Sequence, residues 1–307
     1  LMVLNLETKK VRRITDGSTW YSTSGGFDYA WSPDSKWFTL EFIGNKHDPY
    51  SDIGLVSAQG NGEIINLTNS GYSSGSPSFA LDGNAILFTT ERYGMRAHAS
   101  WGSLDDAMLV FLNQDAYDKF SLSKEDYELY KEANSDRKKV AAKDSSKVKD
   151  VVVELKNIED RIVRLTPNSS NMGSTLISKD GKALYYLAST ESGRNLWKMD
   201  LNKKETKLLH KVDAGWTSLE MDKEGKTLFI LNGKNMQKMN LASDDLKPIK
   251  YLAQVKLDLS AEREYMFDHV YKQQQKRFYN TNMHGVNWDA MTAAYRKFLP
   301  HIDNNYD

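Results

Sequence analysis

The chain has 307 residues, with 41 Lys and Arg balanced by 41 Asp and Glu, and no cysteine. A formal charge of zero argues against a nucleic-acid binder, whose electrostatic footprint needs a basic excess, and the lack of Cys excludes disulfides, thiolate chemistry and Cys-based zinc sites. A mean hydropathy of −0.61 is globular, no run approaches the roughly 18 apolar residues of a membrane helix, and the length allows a sizeable core.

The chain opens Leu1-Met2-Val3-Leu4-Asn5-Leu6, with no basic n-region, apolar h-region or cleavage site. It reads as a strand entered part-way, so a cut ahead of Leu1 is expected. One pattern then recurs four times: Trp31-Ser32-Pro33-Asp34-Ser35-Lys36-Trp37-Phe38-Thr39-Leu40, Phe79 to Phe88 around Asp82-Gly83, Ile177 to Tyr186 around Asp180-Gly181, and Met221 to Ile230 around Asp222 and Gly225. Aligned at the acidic residues 34, 82, 180 and 224, the spacings are 48, 98 and 44. Each copy reads as strand, tight turn, strand, because Asp bonds backbone N–H groups two residues on and Gly accepts a positive φ. A second unit precedes three copies: Val11-Arg12-Arg13-Ile14-Thr15, Ile64-Ile65-Asn66-Leu67-Thr68 and Ile162-Val163-Arg164-Leu165-Thr166. With Asn195 to Asp200 as a further strand, one period of about 45 residues holds four short strands, which is a β-propeller blade. The long middle gap holds either a degenerate blade or one blade carrying an insertion.

That insertion is expected over about 95–150. Met108 to Leu112 is a short apolar run, Asn113 can cap a helical turn, and Ser123-Lys124-Glu125-Asp126 looks like a capping box opening a second helix through Tyr127 and Tyr130. From 124 to 150 eight basic and seven acidic residues alternate, a solvated face rather than a binding patch. The tail changes character from about residue 256. Ser260 can cap a helix carrying Glu262 and Glu264 early, Met266, Phe267, Val270 and Tyr271 at helical spacing, and Lys276 and Arg277 late. Asn287 then caps a second helix with Trp288, Met291, Tyr295 and Phe298 on its apolar face, stopped by Pro300. The expected fold is therefore mainly β: a partial β-propeller of four-stranded blades over 1–255 with a helical insertion, followed by a small α-helical segment over 256–307.

No residue is assigned to catalysis, to a cofactor or to a metal. Gly71-Tyr72-Ser73-Ser74-Gly75 matches the G-x-S-x-G nucleophile elbow, but the elbow needs a strand that turns into a helix, and here Ser76-Pro77-Ser78-Phe79 begins a strand. The six His residues (47, 98, 210, 269, 284, 301) show no ligand spacing. His284 reads as a turn residue bonded to backbone, with a group facing a substrate path as the sharper reading. Asp34, Asp82 and Asp180 recur at the blade period and so hold turns, since a catalytic residue is needed once. Asn66-Leu67-Thr68 and Asn168-Ser169-Ser170 fit the glycosylation sequon at the rate chance allows.

The repeated hairpins resemble the TolB-like Pro-Asp propeller repeat, shared by TolB, prolyl-oligopeptidase-type propellers and tricorn proteases. The tail chooses among these. Glu262 to Phe267, Phe278-Tyr279, Met283-His284-Gly285-Val286-Asn287-Trp288, Tyr295 and Leu299-Pro300 resemble the helical start of the catalytic core in tricorn-type serine proteases, where Asp usually stands in place of Asn287. Arg96 to Gly102, Asp115 to Glu125 and Asn157 to Ile162 resemble the last propeller of that family. The resemblance implies a multidomain peptidase that cleaves short peptides by acyl transfer to a Ser whose proton goes to a His base, with backbone N–H groups stabilising the oxyanion and both catalytic residues beyond Asp307. For this chain it implies a substrate channel or size filter, with peptide substrates and the rest of the parent polypeptide (earlier blades, a PDZ-like domain and an α/β core) as partners. A TolB-like module that binds protein partners without catalysis is the alternative. Four blades are too few for a closed ring, so open apolar faces predict self-association into a homo-oligomer unless a partner covers them. Relatives that are often exported favour a periplasmic over a cytoplasmic location.

Overall fold

The structure is a computed structural model that describes residues 1–17, 27–44, 49–60, 62–96, 102–134, 148–189, 193–214, 217–233, 235–304 and 306. Two compact units result, Leu1–Ile249 and Lys250–Asp307. In the first, β1 (Met2–Leu4) pairs with β2 (Val11–Arg13), and four antiparallel four-stranded sheets follow in strict chain order. These are the first blade, β3 (Tyr29–Trp31), β4 (Trp37–Phe42), β5 (Asp52–Ser57) and β6 (Ile65–Asn66), and the second, β7 (Ser74–Ala80), β8 (Ala85–Thr90), β9 (Asp106–Phe111) and β10 (Ile162–Arg164). The third comprises β11 (Asn171–Ile177), β12 (Ala183–Ser189), β13 (Arg194–Asp200) and β14 (Glu205–Ala214), and the fourth β15 (Thr217–Met221), β16 (Thr227–Asn232), β17 (Asn235–Asn240) and β18 (Leu246–Ile249). The four sheets stand in a propeller arrangement, with consecutive first strands in contact (β3 with β7, β11 with β15).

The core lies in the seams between blades. Ile53 and Leu55 of the first blade pack on Ile86, Phe88, Met108 and Val110 of the second. Ala85, Leu87, Ala107, Leu109 and Phe111 on the second blade's other face meet Leu184, Tyr186 and Ala188 of the third. Tyr185, Leu187 and Leu196 meet Leu219, Leu228 and Ile230 of the fourth. All six residues of β9 are buried, because even and odd positions each face a neighbouring sheet; this is why middle strands read as continuous apolar runs. Burying each such large side chain contributes about 1.5–3 kcal/mol.

The turns follow the sequence logic at two of four sites: Asp34 Oδ1 accepts from Lys36 N and Ser32 Oγ, and Asp180 Oδ1 from Lys182 N and Ser178 Oγ. At the fourth turn Asp222, which stands at the position of Ser32 and Ser178, takes the place of the aligned acid Glu224, and its Oδ1 accepts from Lys226 N and Thr227 N. These bonds hold the Asp34, Asp180 and Asp222 carboxyls below the ordinary range even though partial burial opposes them at the first two. The second turn is built differently: Leu81–Gly83 is a 3₁₀ turn with Asp82 at φ +56°. There Asn84 Nδ2 donates to Leu81 O at 2.7 Å, and Asn113 Nδ2 donates to Asn84 Oδ1 at 3.0 Å.

The middle gap is one blade carrying an insertion. The stretch expected as insertion contains β9, the second blade's third strand, and the excursion proper runs between β9 and β10. It holds α1 (Gln114–Ser121), capped by Asn113, and α2 (Lys124–Ala133), capped by Ser123. Its return is strapped to the propeller. Val151 N donates to Asp34 Oδ2 at 2.8 Å, Glu154 N donates to Leu112 O at 2.7 Å, and Arg161, 3% exposed, donates to the carbonyls of Phe111, Lys156 and Glu154.

In the second unit α3 (Leu259–Arg277) is capped by Asp258, which accepts from Ser260 N and Ala261 N, so the expected cap Ser260 lies inside the helix. A carboxylate at the positive end of the helix dipole outcompetes the hydroxyl two residues later. Asn287 caps α4 (Trp288–Arg296) as expected, accepting from Ala290 N at 2.9 Å. Trp288 stacks on Tyr271 at 6.4 Å between centroids, and Arg296 pairs with Asp268.

Candidate functional site: carboxylates at the seam rims

Two buried aspartates explain the recurring x-Leu-Thr unit. Asp52 and Asp106 begin the third strands of their blades and are 1% and 0% exposed. Thr68 Oγ1 donates to Asp52 Oδ1 at 2.6 Å, and Thr166 Oγ1 donates to Asp106 Oδ1 at 2.8 Å. Each Thr hydroxyl also accepts from the strand opposite, from Ile53 N and Ala107 N. Asn66 Nδ2 and Ser70 N complete the Asp52 set, and Ser169 and Arg164 complete that of Asp106. The sequon Asn66 is therefore tied up inside the fold. These carboxylates close the ends of blades.

A different set of carboxylates faces the seams. On β4 the row Trp37, Thr39, Glu41 points at the second blade; on β9 the row Phe111, Leu109, Ala107 points at the third and, one step on, ends in Asp105. Each terminal acid meets a second acid across the ladder. The Tyr29↔Leu40 pair places Asp28 opposite Glu41, and Thr90↔Asp106 places Glu91 opposite Asp105. Glu41 Oε1 accepts from Ser76 N at 3.1 Å, and Ser76 Oγ donates to Asp28 Oδ2 at 3.2 Å. Ser76 sits at φ +52° in a bulge of β7, and a Cβ on Gly75 would collide with the Glu41 carboxylate. Burial, then the charge of Asp28, pushes the Glu41 carboxyl up. Burial, then Glu91 and Asp106, raises the Asp105 carboxyl to about 6, against the opposing pull of Arg194. Perturbed carboxyls of this kind mark candidate sites.

The sequence candidates fall elsewhere. Ser73 precedes β7, and its carbonyl accepts from Glu91 N at 3.0 Å, so a strand rather than a helix follows the G-x-S-x-G match. His210 Nε2 lies 2.7 Å from Asp244 O, and His269 lies against Tyr265. His284, at φ +52°, contacts the Tyr279 hydroxyl and the Asn280 amide, so side chains rather than backbone hold it. His301 ends a 3₁₀ turn. His47, His98 and the segment 97–101 lie outside the described residues, as does 135–147 of the charged stretch. Among the described residues no group of three or more His, Cys, Asp or Glu could hold a metal ion, and no helix is long and apolar enough to cross a membrane. Sequence reasoning passed over Asp28, Glu41, Glu91 and Asp105. Their one signal is an acid ending an alternating strand row, and it needs the partner strand's register to be seen.

The family described as "Tricorn protease C1 domain" matches residues 259–307. A curated relative, the putative tricorn-like protease C-terminal subunit of Sulfurisphaera tokodaii, is 25% identical over 303 residues, covering 90% of this chain and 32% of its own. The crystal structure of the tricorn protease superposes at a TM-score of 0.67 with 13% identity, over 99% of this chain and 29% of that one. The chain is similar to the tricorn proteases in both of its units. It spans about a third of the length of the curated tricorn-like relative. TolB from Acinetobacter baumannii aligns at a TM-score of 0.49 with 15% identity, over 81% of this chain and 48% of that one.

Proposed function

We propose that this chain is the propeller and early core segment of a tricorn-like peptidase, acting as the substrate channel or size filter of a larger assembly. The observation that carries the reading is the order of parts: four blades followed in the same chain by a segment matching the tricorn C1 domain. A propeller gathers the first strands of its blades around an axis, and an opening of that kind admits an extended peptide while excluding a folded domain. In this reading peptides are the substrates, and a Ser nucleophile with a His base, aided by backbone N–H groups at the oxyanion, lies outside this chain.

The test compares this chain with one continued through its natural C-terminus, using a serine-directed fluorophosphonate probe and an unstructured fluorogenic peptide. Labelling and turnover only in the longer chain are expected. Inactivity of both would favour a protein-binding propeller, and labelling of the short chain at Ser73 would place a nucleophile here. Equal cleavage of folded and unfolded substrates by the longer chain would remove the filter.

A further inference from the structure

We propose that Glu91, Asp105 and Ser170 form a receptor for a primary ammonium group at the rim of the seam between the second and third blades. Asp105 and Ser170 exchange both backbone hydrogen bonds, Asp105 N to Ser170 O at 2.8 Å and Ser170 N to Asp105 O at 3.0 Å. Residues so paired in an antiparallel ladder project their side chains from the same face. The alternation confirms it: the neighbours Asp106 and Ser169 bond each other on the opposite face. Ser170 is 7% exposed, and its hydroxyl is buried without a hydrogen-bond partner among the described residues. A buried hydroxyl left without a partner is costly, so its presence beside a carboxylate pair points to a donor that arrives from outside.

The charges select the ligand. Glu91 and Asp105 place two negative charges on this face, Arg194, held by Asn171 Oδ1 at 2.8 Å, supplies one positive charge, and Asp106 is spent on Arg164. Carboxylates outnumber cations on this face. Two carboxylates and a hydroxyl also offer three accepting side chains, enough for one to each of the three donors on an –NH₃⁺ group. A peptide α-ammonium meets both requirements. The inference rests on the peptide-handling reading for the word peptide, and on the geometry alone for the ammonium.

The experiment titrates the 307-residue chain by NMR at pH 7.5 with methylammonium chloride, with tetra-alanine bearing a free α-amino group, and with its N-acetylated form. Methylammonium and the free-amine peptide should compete, and acetylation should weaken binding about tenfold or more, since a charged hydrogen-bond donor is lost. Asp105→Asn should weaken both ligands about as much while keeping the fold, because it removes a repulsion; Glu91→Gln is the independent second variant. Affinity should fall as the pH drops below about 6, where Asp105 takes a proton. Equal binding of free and acetylated peptides, no binding of any probe, or unchanged affinity in both variants would overturn the site. Methylammonium binding without peptide binding would keep the site and remove the peptide reading.

Discussion

Asp106 is fully buried, and Arg164, Thr166 and Ser169 all donate to it. Removing one partner of such a set leaves the others uncompensated, so Asp106→Ala should cost about 3–5 kcal/mol of unfolding free energy in urea. Asp34→Ala, at a turn near the surface, should cost about 1 kcal/mol. Equal losses would mean that the Thr–Asp closure holds nothing beyond an ordinary turn. Asp105 predicts a pH dependence of opposite sign to the turn aspartates. Its carboxyl rises from 3.8 to about 6 on folding, so between about pH 4 and 6 the folded chain holds a proton that the unfolded chain has released. Stability from this group therefore falls as pH rises through that window. With solvent screening allowed for, Asp105→Asn should flatten the slope and raise stability at pH 7.5 by about 1 kcal/mol. A slope left unchanged, measured in urea from pH 4 to 8, would show that Asp105 titrates normally. The turn aspartates, depressed on folding, act the other way and lose their contribution in acid below their ordinary range.

Among the elements, the hairpins could be read directly, because an Asp or Gly at a tight turn and its flanking apolar residues are local in sequence. The x-Leu-Thr unit was visible as a repeat, but its purpose was hidden: Thr68 reaches an aspartate 16 residues away and Thr166 one 60 residues away. The same insertion disguised β9, whose apolar run passed for part of the excursion until its pairing with β10 across Leu109↔Val163 was known. That pairing makes a prediction. Replacing residues 115–147 by a short Gly-Ser linker should leave the propeller folded, costing about 1–2 kcal/mol, since loop length alone costs little and, among the described residues of the excursion's helices, it is the half-buried Ala116, Tyr117 and Phe120 of α1 that pack on the core around Phe111. Leu109→Ala, a single change in the strand beside it, should cost more, about 2–5 kcal/mol. The opposite ranking in urea melts would mean that the helices, rather than β9, belong to the blade's core.

At the scale of the molecule, burial is concentrated in the propeller unit, whose seams are fully covered between consecutive blades. Its outer surfaces differ: Tyr29 and Trp31 of β3 are 53% and 45% exposed on the face carrying β1–β2, where among the described residues two strands stand against four. The unit from Lys250 to Asp307 is held by other means. No residue of α3 or α4 is buried, and Val270, Met291, Tyr295 and Phe298 are largely open beside an apolar cleft of about 140 Å³ lined by Phe267, Tyr271 and Trp288. The helices are joined by the Tyr271–Trp288 stack, the bonds from the Tyr271 hydroxyl to Asp289 and from Trp288 Nε1 to Tyr271 O, the Arg296–Asp268 pair and Arg296 over the Phe267 ring. Surface pairs of this kind contribute about 0–1 kcal/mol each. They cannot offset the entropy of ordering two helices, of which the shorter has only 9 residues. A peptide of residues 250–307 should therefore show weak helical circular dichroism and a broad, non-cooperative melt. A sharp sigmoidal melt with near-UV signals from Trp288 would show instead that the aromatic stack suffices as a core, and the open face would then be surplus surface rather than a face stabilised by what covers it.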